Sequence, residues 1–488
     1  MATGSISSIG IGSGLDAENI VTQLVAIKKQ SLSKLETQAV SVNTKISAMG
    51  SLKTAVSNLQ DQVSKLTSGT LWDGKTFASS ASTAVSGSVT EKAVAGTYAV
   101  EVSQLAASQN VNSGAFAKDA AMGKGVLTIT MGTWSEDATD AEVFAANASA
   151  DKNVVLDDLD GTETLSAIAA KINAKKAGVT ATIVRDAGGE RLSITSAETG
   201  VSHGFKIAVS AAGAEPIGEN LQKLAYAPDE APATSSMTRS RAAQDTLATI
   251  NGIAVASSNQ TFTNVADGLT LTVSQKTEAD KPVTITVAQD LASAKKAVEN
   301  FATSYSSLMA TLSTMMSYDE ATKSAGTLQG DAMARSLQSA MRRLLQNEGG
   351  ANSSFNSLSQ LGVELQKDGS VKVNDKKLTG ALQDPQGMRN FFSVDEPGTD
   401  KDGWAVRALG FTQGLLDKTE GMFATADSSL KARLKSNADQ QTSMSRRISA
   451  YEDNLRKTYS ALDSRMAQLD ALNSYVSQQV SQWNKSRD

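Results

Sequence analysis

The sequence predicts an α+β multidomain protein: terminal coiled-coil helices and a helical-bundle base, with two β-rich domains inserted in the helical hairpin. Three observations predict it. Apolar residues recur at helical spacing at both ends of the chain, and the stretch between them alternates at the period of a strand. The 488 residues also exceed what one core holds, since domains run about 100 to 200 residues.

The first element is a long helix. From Ile20, apolar or small residues follow at Leu24, Ile27, Leu35, Ala39, Val42, Ile46, Met49, Leu52, Val56, Leu59, Val63 and Leu66, mostly in steps of three and four. Asp16 is a good N-cap, Glu18 suits the first turn, and Gly50 is read as a joint. At the other end no Gly or Pro follows Gly421. There Ile448, Tyr451, Leu455, Tyr459, Leu462, Met466, Leu469, Leu472, Val476, Val480 and Trp483 repeat close to every 3.5 residues, the period of a coiled-coil seam. Nucleating a lone helix is costly, so each stripe needs a partner: the other terminus or another subunit.

Between the ends the pattern is that of short antiparallel strands, at 96–103, 125–131, 179–185, 191–196, 205–210, 269–274 and 282–288. One helix interrupts them, with Thr162 or Thr164 as N-cap and Leu165, Ile168, Ala169 and Ile172 as its buried face. The tract Ala211 to Thr238, with Pro216, Pro228 and Pro232, reads as a loop or linker. Helical stripes return at Leu291 to Leu312 and Met333 to Leu345, and Asp368-Gly369 sits between alternating runs as a hairpin turn. The chain leaves a helical region, builds a β region and returns. The expected division is 1–44 with 430–488 as a terminal leg and 45–77 with 291–429 as a bundle. Residues 78–110 with 241–290 form a β-rich domain, and 111–240 a second, outer one.

Composition excludes several functions. The net charge is −5, and basic residues stand as scattered pairs (Lys28-Lys29, Arg342-Arg343, Arg446-Arg447), which argues against nucleic acid as a partner. No apolar run is long enough for a membrane helix, and the N-terminus lacks the basic and apolar regions of a cleaved signal peptide. Without cysteine there are no disulfides or thiolate sites, and one histidine, His203, cannot make a two-histidine metal site.

No motif assembles a reaction centre. Gly10, Gly12 and Gly14 lack the third-glycine spacing of a dinucleotide fingerprint, and Ser31-x-x-Lys34 lies in a helical stripe without its companion motifs. Asp157-Asp158-Leu159-Asp160-Gly161 falls short of a calcium loop and is read as helix capping. His203 is read as a surface residue in a turn. No enzyme, cofactor or metal is expected.

Several segments carry a family resemblance. Residues 8–26, SIGIGSGLDAENIVTQLVA, resemble the opening signature of the flagellar filament cap family, also called hook-associated protein 2. Residues 282–320, 328–346, 361–375 and 459–470 resemble its C-terminal module in order, and 164–197 are similar to the hook IN motif shared with flagellins; 111–162 carry no resemblance. The resemblance implies a coiled-coil leg, a bundle and a β plate, with several copies, about four to six, at the filament tip. It implies partners in flagellin, the hook-filament tip and an export chaperone, and secretion through the flagellar type III channel without a cleaved signal. It also implies that the apolar leg residues form the filament-docking or coiled-coil interface: Leu15, Ile20, Leu24, Ile27, Leu35, Leu455, Leu462, Met466, Leu469, Leu472, Val476 and Val480, with those from Leu462 onward meeting the filament. The rival readings are another axial component, a flagellin or hook-junction protein, and an adhesin whose β domains bind host surfaces.

Overall fold

Asp16 caps the first helix as its residue type demands: its Oδ1 accepts the Asn19 backbone N–H at 3.1 Å, and α1 runs from Ala17 to Leu66. The computed structural model describes residues 16–138, 141–148, 153–230, 235–396 and 401–485. The helix passes through Gly50 without a break, so the expected joint is absent. A glycine inside a helix costs about 1 kcal/mol relative to alanine, and the well-buried residues on both sides of it, Met49 and Leu52, offset that. A short α2 (Gly69–Asp73) follows, and its Trp72 is buried with Nε1 donating to the Leu66 carbonyl at 3.1 Å. The chain divides into two compact units, Met1–Trp72 with Leu291–Asp488, and Asp73–Asp290.

The second unit holds β1 (Lys75–Ser79), β2 (Val85–Val89), β3 (Gly96–Gln104), β4 (Asn110–Asn112), β5 (Ala121–Glu136), β6 (Glu142–Ala146) and β7 (Val154–Thr164). Then come α3 (Leu165–Lys175), β8 (Val179–Asp186), β9 (Gly189–Ser196), β10 (Gly204–Ser210), α4 (Glu219–Gln222) and β11 (Thr238–Arg241). It closes with β12 (Thr246–Ile250), β13 (Ile253–Ser257), β14 (Thr261–Ala266), β15 (Leu269–Val273) and β16 (Val283–Gln289). Early and late strands pair in the antiparallel sheets β1-β16-β3-β12-β13 and β14-β15-β2, which enclose Val100, Val102, Phe262, Leu271 and Ile285. Asn251 and Gly252, at φ 50° and 82°, form the two-residue turn between β12 and β13, the geometry that matches strand twist. The middle strands form β10-β5-β6 with β7 on β5, and β11-β4-β9-β8. Their separate core contains Leu127, Ile129, Leu165, Ile168, Ile172, Leu192 and Phe205.

Three readings change here. The acidic run 157–160 is part of β7, with Leu156 and Leu159 buried between exposed carboxylates, and it caps no helix. Thr164 is the N-cap of α3, its Oγ1 accepting the Ala167 N–H at 3.3 Å. Asp158 and Glu163 instead clasp Lys171 on α3, at 3.1 and 2.9 Å. The hydrogen bond from Lys171 holds the Asp158 carboxyl below its usual range. The tract 211–238 is not a free linker either, because Leu221, Leu224, Tyr226 and Met237 are buried in the outer core. Tyr226 and Ile207 exchange backbone hydrogen bonds at 2.8 and 2.9 Å. His203, finally, is only 23% exposed at its side chain, with Nδ1 2.8 Å from the Thr199 carbonyl and Nε2 2.8 Å from Glu198.

The chain then returns to helices: α5 (Leu291–Met316), a small hairpin β17 (Tyr318–Asp319) and β18 (Ser324–Ala325), and α6 (Ala332–Gln346), capped by Asp331. The turn Asp368-Gly369 joins β19 (Val363–Leu365) to β20 (Val371–Val373), with Gly369 at φ 88°. After α7 (Asp375–Ala381), α8 (Pro385–Ser393) and α9 (Trp404–Leu416), the chain ends in α10 (Met422–Lys485). One core joins α1 to these helices, with Leu52, Val56, Leu59, Val63, Phe301, Tyr305, Met341, Phe391, Phe392 and Trp404 all buried. Trp72 stacks on Phe392 at 4.9 Å.

Candidate functional site: the terminal helix hairpin

α1 and α10 pair antiparallel, so the two ends of the chain partner each other over most of their length. Glu18 and Arg456 mark the outer end of the pairing, with two hydrogen bonds of 2.7 Å each. These bonds pull the Glu18 carboxyl down and push the Arg456 guanidinium up. Beside them Val21, Val25 and Ile448 are buried, with Leu32, Met444, Tyr451, Leu455 and Tyr459 packed around. Toward the inner end Leu430 and Phe423 are buried in the core that α1 shares with the other helices. The stretch between has few apolar contacts. A cavity of about 490 Å³ opens there, lined by Ser31, Leu35, Ser436, Gln440, Ser443 and Met444. Nearby, Asn437 is a buried polar residue that accepts from Gln441 Nε2 at 2.6 Å. A polar residue at a core position fixes register at a cost in stability.

The predicted docking residues fall into three groups. Leu15 lies outside the described residues. Ile20, Leu24, Leu35 and Leu455 are half-buried, Leu455 against the Val21, Val25 and Ile448 cluster and Leu35 at the cavity, whereas Ile27 is 60% exposed. Met466 is half-buried, and Leu462, Leu469, Leu472, Val476 and Val480 are 39 to 58% exposed. At 100° per residue these six side chains fall within about 120° of arc, the width of an apolar stripe that faces a partner. With Glu18 opposite Arg456, α10 continues for some 25 residues beyond the start of α1, about 40 Å of helix. Among the described residues that stripe has no partner. Val21, Val25 and Ile448, which hold the hairpin closed, stand four apart on α1 and one turn from Tyr451 on α10. Their spacing was visible in the sequence, but only the register between the helices shows that this face is buried.

Among the described residues no cluster of three or more His, Cys, Asp or Glu side chains is placed to hold a metal ion, and no helix is long and apolar enough to cross a membrane.

A chain whose ends pair as two long helices with an apolar stripe uncovered among the described residues, and whose middle folds as β sheets, has the build of an assembly protein. Comparison with known proteins gives the family. The descriptions "Flagellar hook-associated protein 2 N-terminus" and "C-terminus" match residues 13–109 and 243–471, and the flagellin hook IN motif matches 147–198. That last match begins before the segment recognised in the sequence and reaches into a stretch that had offered no resemblance. The B-type flagellar hook-associated protein 2 of Pseudomonas aeruginosa is 30% identical, over 95% of this chain and 98% of its own. Flagellar hook-associated protein 2 of Escherichia coli K12 is 29% identical, over 99% and 100%. The crystal structure of the D1-D2-D3 domains of the flagellar cap protein FliD from Escherichia coli is 27% identical. It covers 78% of this chain and 99% of that one, with a TM-score of 0.57. The chain belongs to the flagellar hook-associated protein 2 family, the flagellar filament caps.

Proposed function

We propose that this protein sits at the distal end of the flagellar filament as a homo-oligomer and docks there through the outer part of α10, holding exported flagellin until each subunit folds and inserts. The observation that carries the docking reading is the stripe Leu462, Met466, Leu469, Leu472, Val476 and Val480, which is apolar, lies on one helix face and is uncovered among the described residues. Burying such side chains stabilises by about 1.5 to 3 kcal/mol each. Ile20, Leu24, Leu35 and Leu455 serve the reading indirectly, by clamping α10 to α1 so that the stripe projects from a fixed base.

The absence of cysteine suits passage through a narrow type III channel as an unfolded chain, without disulfides to reduce, and an export chaperone would then cover the apolar leg before secretion. The four hydrophobic clusters support a division into leg, bundle and two β domains close to the boundaries read from the sequence. The test is complementation. Cells lacking their own cap protein and supplied with this chain and its cognate flagellin should grow filaments. Flagellin shed into the medium at the level of uncomplemented cells, with this chain secreted normally, would refute the proposal.

A further inference from the structure

The basic residues that look scattered in the sequence come together in the fold. Residues 28–53 of α1 carry five cations against one carboxylate, Glu36, and residues 427–447 of α10 carry five against two, Asp427 and Asp439. The antiparallel pairing sets these two stretches side by side, bringing the Lys28-Lys29 pair to the level of Arg446-Arg447. The result is a band of net charge +7 in a chain of net charge −5, so the remainder carries −12. The band has sharp limits: 54–66 and 448–485 are each balanced, the latter with four acids and four bases.

The band is also electrostatically unspent. Lys431 pairs with Asp427 at 2.7 Å, and Lys28 lies 5.7 Å from the centre of the Tyr451 ring. Lys34, Lys45, Arg433, Lys435, Arg446 and Arg447 meet no carboxylate within ion-pair distance among the described residues, and all but Lys45 are exposed. Paired helices lie 8 to 10 Å apart, about one Debye length at physiological salt, so the cations of both helices act as one field along about 40 Å of leg. Keeping that much like charge together opposes folding. The apolar seam thins out in the same stretch, where the cavity is lined by polar side chains, Ser31, Ser436, Gln440 and Ser443, with Asp439 and Arg447 as one charge of each sign.

We propose that this band is a docking surface for an acidic protein face on the filament, steering and orienting the leg before the apolar stripe of α10 engages. The inference rests on the filament-docking reading and names the chemistry of the surface docked upon. Protein fits better than nucleic acid, because only Tyr451 accompanies the cations and there is no platform of aromatics for bases to stack on. The band and the stripe lie on the same helix, α10, about 20 Å apart along its axis, so a partner surface of that length engages both.

The test uses the full-length chain, filaments polymerised from its cognate flagellin, and cosedimentation across a salt series. The variant is Lys34→Glu, Lys45→Glu, Arg433→Glu and Arg446→Glu together, of which Lys34, Arg433 and Arg446 are exposed and Lys45 is half-buried. Wild-type binding should fall at least about tenfold as salt rises from low to several times physiological strength. The variant should bind about tenfold more weakly at physiological salt and lose most of its salt dependence. Circular dichroism and melting checks that it remains folded, and Lys34→Arg with Lys45→Arg, which keeps the charge, should bind as wild type. Cosedimentation that ignores salt and is unchanged in the variant overturns the proposal while leaving filament docking intact; absence of cosedimentation at any salt overturns the docking reading itself. Equal binding to duplex DNA or to phosphatidylserine vesicles would make the band a general polyanion site. A variant that changed only self-association would assign it to contacts between copies. Either outcome overturns the proposal.

Discussion

Replacing Leu462, Leu469 and Val476 together by Asp should separate docking from folding. In the free protein these side chains are 39%, 57% and 49% exposed, so the variant removes little native packing. Its cost to the isolated chain is mainly the poorer helix propensity of Asp, about half a kcal/mol per site, within a segment that has no partner among the described residues. On the filament the arithmetic differs. Covering what is now exposed on the three side chains amounts to about one and a half fully buried residues, worth about 2 to 4 kcal/mol at ordinary burial energies. That is about thirty- to a thousandfold in affinity, before adding the cost of forcing three carboxylates against an apolar surface. The melting temperature of the bundle and β sheets should stay within a few degrees of wild type. Cosedimentation with filaments should be lost, and cells carrying the variant should shed flagellin. Normal filament growth with the variant, at normal secreted levels, would refute the reasoning.

Ile448→Ala removes the α10 side of the Val21 and Val25 cluster and should cost about 2 to 5 kcal/mol, read as faster amide exchange in 17–25 with the bundle core unchanged; unchanged exchange would mean that the outer hairpin is held by something else. The unit Asp73–Asp290 contains both of its hydrophobic cores and should fold alone, giving a β-type circular dichroism spectrum and a cooperative melt; a helical spectrum or no transition would contradict this. Asp417, just before α10, accepts the backbone N–H groups of Glu420 and Thr419 at 2.7 and 2.8 Å, and these bonds pull its carboxyl from 3.8 to about 2. A carboxyl depressed in the folded state contributes stability that is present above its unfolded value and lost as pH falls through its folded one. Asp417→Asn should therefore lower the melting temperature above pH 4, with the difference from wild type closing as pH drops toward about 2; a difference that does not change over that window would show that the charge is not what the loop uses.

Much of this architecture could be read from the sequence, because its longest elements obey a single period. The stripes from Ile20 to Leu66 and from Ile448 to Val480 became α1 and α10, and the clear alternation at 96–103 or 282–288 became central strands. Harder cases involve two signals at once. In β7 the alternation of Val154, Leu156 and Leu159 is thrown out of phase where the register with β5 shifts between Gly125 and Leu127, so the acidic run hides a strand. β1 and β2 are rich in Ser, Thr and Ala and have too little hydrophobic contrast to show. Tyr226 and Met237 are buried only because of partners far away in the chain, and the prolines around them suggested a linker. On α10 the apolar stripe was legible in full. On α1, Ile20, Val21, Leu24 and Val25 are all apolar, so which pair is buried depends on the register with α10, as does the meeting of the two basic stretches.

Electron cryo-microscopy of filament tips grown with the full-length chain tests the central claim most directly. The account predicts several copies at the distal end, each with residues 462–482 of α10 packed by the Leu462, Leu469 and Val476 face against filament subunits. Tips that carry the chain with that face turned to solvent, or filaments with the chain bound along their sides and absent from the end, would contradict it.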